Sequence, residues 1–120
     1  MLGALAETVR LQFDPAAWLI VYNEEVVGLC SITKPFVTPG VIEIGYGIAP
    51  ERRGRGFATA AVGKLLVLAR ADERIKFVTA ETALDNASSQ RTLEKNGFTR
   101  IGEGMDSEDG ALVRWQILVG

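Results

Sequence analysis

The 120-residue sequence contains no histidine. That removes the usual side-chain base at neutral pH, the Ser-His-Asp triad and every histidine-ligated metal site. No metal is expected, and acid–base chemistry has to come from carboxylates, hydroxyls, amines, water or a bound ligand. There is one cysteine, Cys30, so no intrachain disulfide can form, which fits a reducing compartment. In an apolar strand run with no histidine to deprotonate it, Cys30 reads as core rather than nucleophile. No apolar stretch approaches the about 20 residues that span a bilayer. Residues 1 to 13 lack the basic start and continuous apolar run of a signal peptide, so a cytoplasmic location away from membranes is expected. Positive charge is also scarce: the net charge is −2, which excludes bulk attraction to nucleic acid or to an anionic surface. Any basic function must be local. Repeats, low-complexity segments and linkers are missing, and 48% hydrophobic with 23% charged residues is a globular balance. Residues 1–120 are expected to form one domain around one core.

Residues 1 to 17 are weakly patterned. The run 18–22 (WLIVY) and the run 26–34 (VVGLCSITK) are rich in β-formers and flank a turn at 23–25, which predicts a hairpin. A loop with two prolines at 35–40 precedes a third strand at 41–48 (VIEIGYGI). From Phe57 to about Ala71 the period becomes helical, with Phe57, Ala61, Leu65 and Leu68 on one face and Ala60 broadening it. A strand follows at 75–82. Strand, helix and strand in succession imply a parallel pair. Residues 85–98 read as a second helix, with Asn86 as N-cap, Gly97 just past the C-terminus and Phe98 as the closing apolar contact. Two final strands, 99–105 and 111–119, enclose an acidic turn at 105–110 that lacks calcium-loop spacing. Tyr46 and Trp18 read as sheet packing. The order β-β-β-α-β-α-β-β predicts an α/β sheet with mixed strand directions.

The densest basic cluster, Arg52, Arg53 and Arg55, is interleaved with Gly54 and Gly56 and lies directly before the first helix. Glycine lets a ligand approach the backbone, and the amides at a helix N-terminus, together with the dipole, favour an anion. Arginines oppose that dipole, so their presence points to a bound phosphate; the plainer alternative is a tight turn with solvated arginines. A Walker loop fails, because Gly63-Lys64 is followed by Leu65 inside the helix. A dinucleotide fingerprint is met by Gly54 and Gly56 but has Thr59 at its third glycine, although Glu81 could stand for the ribose-binding acid.

The remaining pattern, Arg-x-x-Gly-x-Ala at Arg53, Gly56 and Ala58, resembles the GNAT superfamily of acyl-CoA-dependent N-acyltransferases. Residues 42–62 resemble its central motif. Residues 80–98 resemble its second motif as found in the RimJ/RimL-like branch of ribosomal-protein N-terminal acetyltransferases. The resemblance covers about residues 18 to 119 and implies a mixed, mostly antiparallel sheet whose central parallel pair splays around the cofactor, with helices packed on it. Acetyl-CoA is the implied cosubstrate. Arg53, Gly54, Arg55, Gly56, Phe57, Ala58 and Thr59 would hold its pyrophosphate, the strand end at Ile48 its pantetheine arm, and Asn86 and Ser89 its thioester end. The implied reaction is direct attack of an amine on the thioester, which requires a base, a donor for the oxyanion and an acid for the thiolate. Glu43 matches the position of the family's frequent base, Glu81 is a second candidate, and Ser89 is a candidate acid. For each, the alternative is a solvated structural residue. Many members carry a tyrosine in the second helix, where this sequence has Leu93. Members also place a strand and two helices before the hairpin, and about 17 residues precede Trp18 here, so shortened or missing N-terminal helices and a homodimer are expected. The competing readings are a CoA-binding regulatory domain without turnover and a small Rossmann-type nucleotide-binding module.

Overall fold

The structure, a computed structural model, describes residues 10–14, 17–35, 38–106 and 110–120, and the side chains of 18–33, 38–105 and 110–120. Within them lie strands β1 (Arg10–Asp14), β2 (Ala17–Tyr22), β3 (Glu25–Pro35), β4 (Val41–Ile48), β5 (Phe77–Ala83), β6 (Thr99–Asp106) and β7 (Gly110–Leu118), and helices α1 (Phe57–Ala71) and α2 (Ala87–Lys95). The strands form one sheet in the order β1-β2-β3-β4-β5-β7-β6. Every neighbouring pair is antiparallel except β4 and β5. No described helix is long and apolar enough to cross a membrane.

The hairpin of β2 and β3 closes through Asn23 and Glu24, at φ 51° and 61°. Positive φ at both turn residues matches the right-handed twist of the strands, so the turn is one residue shorter than the predicted 23–25. Strand β1 adds an element within residues 1 to 17, which the sequence showed only as weakly patterned. It pairs Arg10 with Val21 and Asp14 with Ala17, and five residues are too few to display a period. The expected shortening of the N-terminal helices falls on residues 1–9, outside the described residues. So do residues 36–37 of the proline loop and 107–109 of the acidic turn.

Helix α1 buries Phe57, Ala61, Val62, Leu65, Leu66 and Ala69. Leu68, assigned to that face from the sequence, is 49% exposed. The buried stripe follows the i, i+4 row from Phe57 to Ala69, and Val62 and Leu66 widen it on the side away from Leu68. Val62, Leu65, Leu66 and Ala69 pack on Ile42, Ile44, Val78, Val113 and Trp115 of the sheet and on Leu93 of α2. Each large side chain so buried contributes about 1.5–3 kcal/mol. Cys30 packs with Ile20, Val27, Phe57 and Ala61 in a second cluster beneath the start of α1.

Helix α2 starts and stops as its sequence dictates. The Asn86 side chain accepts from the Ser89 amide at 3.1 Å. At the other end Gly97 takes φ 88°, the Phe98 amide donates to Leu93 O, and the Gly97 amide donates to Glu94 O, each at 3.0 Å. This double closure brings buried Phe98 back onto Leu93. Asn96 then donates to Thr59 O at 3.1 Å, which fixes the end of α2 against the first turn of α1.

Alternation divides the sheet into two faces. Ile42, Ile44, Tyr46 and Ile48 of β4 face the helices; Glu43, Gly45 and Gly47 face the other way. On that second face no described element covers the residues around Glu43.

Candidate functional site

The parallel pairing of β4 with β5 runs from Val41 opposite Phe77 to Ile44 opposite Ala80 and stops. Both strands continue, β4 against β3 as far as Ile48 and β5 against β7 as far as Ala83. The two therefore separate, and beyond Ile44 the β4 edge that faces β5 has no strand partner among the described residues. Backbone donors and acceptors on such an edge must be satisfied by something else. One already is: Arg53 Nε donates to Ile48 O at 3.2 Å.

The chain leaves β4 through a 3-10 turn at Pro50–Arg52 and enters the glycine–arginine loop. Gly54 and Gly56 have φ of 80° and 79°. A side chain at either would be strained, so the glycines set the path of the loop as well as leaving its backbone bare. Beyond Gly54 a Cβ would meet nothing within 4 Å. Gly56 is the N-cap of α1 and supplies no side-chain cap; the first turn carries no acid. The first helical bond runs from the Ala60 amide to Gly56 O at 3.0 Å, which leaves the amides of Phe57, Ala58 and Thr59 ahead of it. The helix end thus keeps its positive potential undischarged.

These groups border an open cleft of about 230 Å³. Its walls include Arg53, Gly54, Gly56 and Thr59 on the loop side, and Ser88, Arg91 and Lys95 of α2 opposite. A second cleft of about 240 Å³ shares Ile48, Arg53, Ala58, Ser88 and Thr92 with the first and continues into the gap between β4 and β5, where Tyr46, Asn86 and Ser89 line it. The loop is tied to the hairpin by Arg52, whose Nη2 and Nε donate to the two Glu25 carboxylate oxygens at 2.6 and 2.8 Å. The Arg52 hydrogen bond holds the Glu25 carboxyl below the usual carboxylate range.

Of the residues singled out from the sequence, Ile48, Arg53, Gly54, Gly56, Phe57, Ala58 and Thr59 lie along the first cleft and Asn86 and Ser89 along the second. Phe57 is 2% exposed, its ring 4.9 Å from that of Tyr22, so its backbone is the part available. Arg55 is not in the lining of either cleft. Asn86 serves first as the cap of α2.

Glu43 is not brought together with Ser89. It sits on the opposite face of the sheet, opposite Thr79 and one residue before the pairing ends. Thr33 Oγ1 donates to Glu43 Oε2 at 3.0 Å. Thr33 occupies the register shift between Ile32 and Lys34, and the bulge turns its hydroxyl onto the carboxylate. Glu81 lies directly opposite Arg114, whose Nε donates to Glu81 Oε2 at 3.1 Å.

Sequence reasoning assigned Tyr46 to packing. Its ring does pack against both core clusters, but its hydroxyl donates to Ser89 O at 3.1 Å and lies 2.8 Å from Ser89 Oγ. Burial pushes the phenol up, and the Ser89 bond only partly offsets this, so Tyr46 keeps its proton at neutral pH. The signal for it was parity: Tyr46 is two residues beyond Ile44 on the helix face. Cys30 is 1% exposed and burial pushes its thiol up to about 11, which leaves it unreactive.

A family model described as an acetyltransferase (GNAT) domain matches residues 4–99. The uncharacterised N-acetyltransferase YjdG of Bacillus subtilis (strain 168) is 37% identical over 84 residues, which cover 68% of the chain and 50% of YjdG. The chain spans about half the length of the curated relatives it matches. A solved acetyltransferase structure superposes with a TM-score of 0.78 at 28% identity, over 85% of this chain and 60% of that one. RimJ of Mycobacterium smegmatis, solved in complex with CoA-disulfide, superposes with a TM-score of 0.76 at 24% identity, over 85% and 52% of the two chains.

Proposed function

The chain belongs to the GNAT acetyltransferase family, and from that premise we propose that it is an acetyl-CoA-dependent N-acetyltransferase of the RimJ/RimL-like branch, acting on a primary amine. The acceptor is a protein N-terminus or a small-molecule amine. One observation carries the reading: a left-handed glycine loop with bare amides opens, along a continuous cleft, into the gap between two separating parallel strands. That shape and donor set fit a pyrophosphate joined to an amide-containing arm. The CoA-disulfide in the RimJ structure is consistent with it.

Acetyl-CoA supplies an acetyl group activated as a thioester. The amides from Gly54 to Thr59 and the Arg53 guanidinium hold the pyrophosphate. The free edge of β4 beyond Ile44 pairs with the arm as a strand would. On the uncovered face, Gly47 leaves the backbone bare, since a Cβ there would meet nothing within 4 Å, whereas the Thr33 methyl lies over Gly45. That face is where the amine approaches. Glu43, steadied by Thr33, takes a proton from the acceptor ammonium, directly or through a water. As the new C–N bond forms and the C–S bond breaks, Ser89 gives the departing thiolate a proton and draws one from Tyr46. The nitrogen sheds its second proton to solvent as the tetrahedral intermediate collapses, and solvent then returns a proton to Tyr46 and takes one from Glu43. Glu81 is the weaker candidate base, because Arg114 already engages it.

A homodimer is proposed alongside, with the exposed Val26 and Leu29 as surface for it to bury, and a cytoplasmic location, which suits the single buried cysteine. Light scattering at micromolar concentration should give twice the 13.0 kDa chain mass; 13.0 kDa with full activity overturns the dimer. The activity is tested by release of free thiol from acetyl-CoA against a panel of amines, with mass spectrometry of the product. Binding without release from any acceptor would identify a CoA-binding regulatory domain. Retention of a dinucleotide instead of CoA would identify a nucleotide-binding module.

A further inference from the structure

The cleft beside the loop carries more positive charge than a pyrophosphate requires. Arg91 and Lys95 of α2 face it across from Arg53 and from Arg52, which Glu25 already engages, and no carboxylate is among its described lining residues. Like charges four residues apart on a helix repel and destabilise it. Lys95 alone is explained by the last turn, where a cation complements the helix dipole. Arg91 sits in the middle of a nine-residue helix and has no such explanation. Neither has a carboxylate partner among the described residues.

Ser88, Arg91, Thr92 and Lys95 follow the i, i+3, i+4, i+7 spacing of one helix stripe, and all four line the cleft. At 1.5 Å per residue the stripe is about 10 Å long. Its N-terminal end adjoins Ser89 and Tyr46 in the strand gap; its C-terminal end is the part farthest from them. A ligand whose reactive end lies at Ser89 and whose pyrophosphate lies on the loop carries its nucleotide end toward Lys95.

We propose that Arg91 and Lys95 form a second anion site that binds the phosphate monoester on the ribose of CoA, and that they make the protein select CoA over its dephosphorylated form. The inference rests on the acetyl-CoA reading above. Two cations on one wall suit a dianionic monoester, whereas a ribose hydroxyl would leave them facing each other without a counter-charge.

The test is calorimetric titration of acetyl-CoA and of acetyl-dephospho-CoA into the full chain and into an Arg91→Gln, Lys95→Gln variant. The parent should bind acetyl-CoA about tenfold or more tightly than acetyl-dephospho-CoA. The variant should lose that preference while its affinity for acetyl-dephospho-CoA stays that of the parent. The preference should also shrink with added salt. Equal binding of the two ligands by the parent overturns this proposal and leaves the acetyl-CoA reading standing, as does a preference that survives in the variant. Failure of the parent to bind either ligand overturns both.

Discussion

The two faces of the sheet around the β4–β5 gap are built differently. On the helix side the site is dense and redundant: backbone amides, four cationic side chains and the Ser89–Tyr46 pair converge along two joined clefts. On the open side it is sparse: one carboxylate at Glu43, one hydroxyl at Thr33 and the bare backbone of Gly47. A site made of backbone geometry fails when that geometry is changed and tolerates the loss of single side chains. A site made of one side chain behaves in the opposite way. Cofactor binding and deprotonation of the acceptor should therefore separate between the faces, with the proton donors Ser89 and Tyr46 on the binding side.

The largest effect should come from Gly56→Val. At φ 79° a β-branched residue is strongly disfavoured, and its side chain would stand among the loop amides. Acetyl-CoA affinity should fall by about 100-fold or more while far-UV circular dichroism shows the fold retained. Unchanged affinity would break the assignment of the loop.

Next is Glu43→Gln on the open face. It keeps the shape and the bond to Thr33 but removes the base. The chemical step should slow by about 100-fold with acetyl-CoA affinity intact. A parent rate from about pH 6 to about pH 9 would leave Glu43 a structural residue.

Ser89→Ala and Tyr46→Phe should each slow turnover by about tenfold, because water can replace a lost proton donor. The double variant should be no slower than the worse single one, since the two act in series. Fully additive losses would separate Tyr46 from the reaction and return it to packing.

The smallest effect concerns the tie between loop and hairpin. Glu25 has its carboxyl lowered by Arg52, so the pair contributes fully above the ordinary glutamate value of about 4.3 and is lost as pH falls through the lower folded-state value. Both groups are exposed, so the effect is modest. Titrations of acetyl-CoA at decreasing pH should show affinity falling less in Glu25→Gln, which has already lost the ion pair, than in the parent. An identical acid dependence would detach the pair from the loop.

How much of this was legible in the sequence depends on the range over which each feature is set. Gly54, Gly56, the N-cap Asn86 and the C-terminal Gly97 act through φ angles and hydrogen bonds within a few residues, and their sequence positions were enough to place both helix ends. The crossover through α1 implied the parallel pair, because a strand–helix–strand connection leaves few other arrangements. Strand β1 escaped because five residues give no period, and Leu68 was misplaced because two adjacent helix rows fit the same spacing.

The chemistry on each face was decided by tertiary structure. Local sequence could say that Glu43, Tyr46 and Ser89 exist, and alternation along β4 could say that the first two point apart. It could not say that β4 and β5 stop pairing after Ile44, that a bulge aims Thr33 at Glu43, or that the Tyr46 hydroxyl meets a serine 43 residues further along the chain. Those facts depend on how far two strands diverge under the twist of the whole sheet and on where packing sets α2 against α1. Both are fixed by contacts between residues far apart in sequence, whereas the glycine–arginine loop is fixed by residues that are neighbours along the chain.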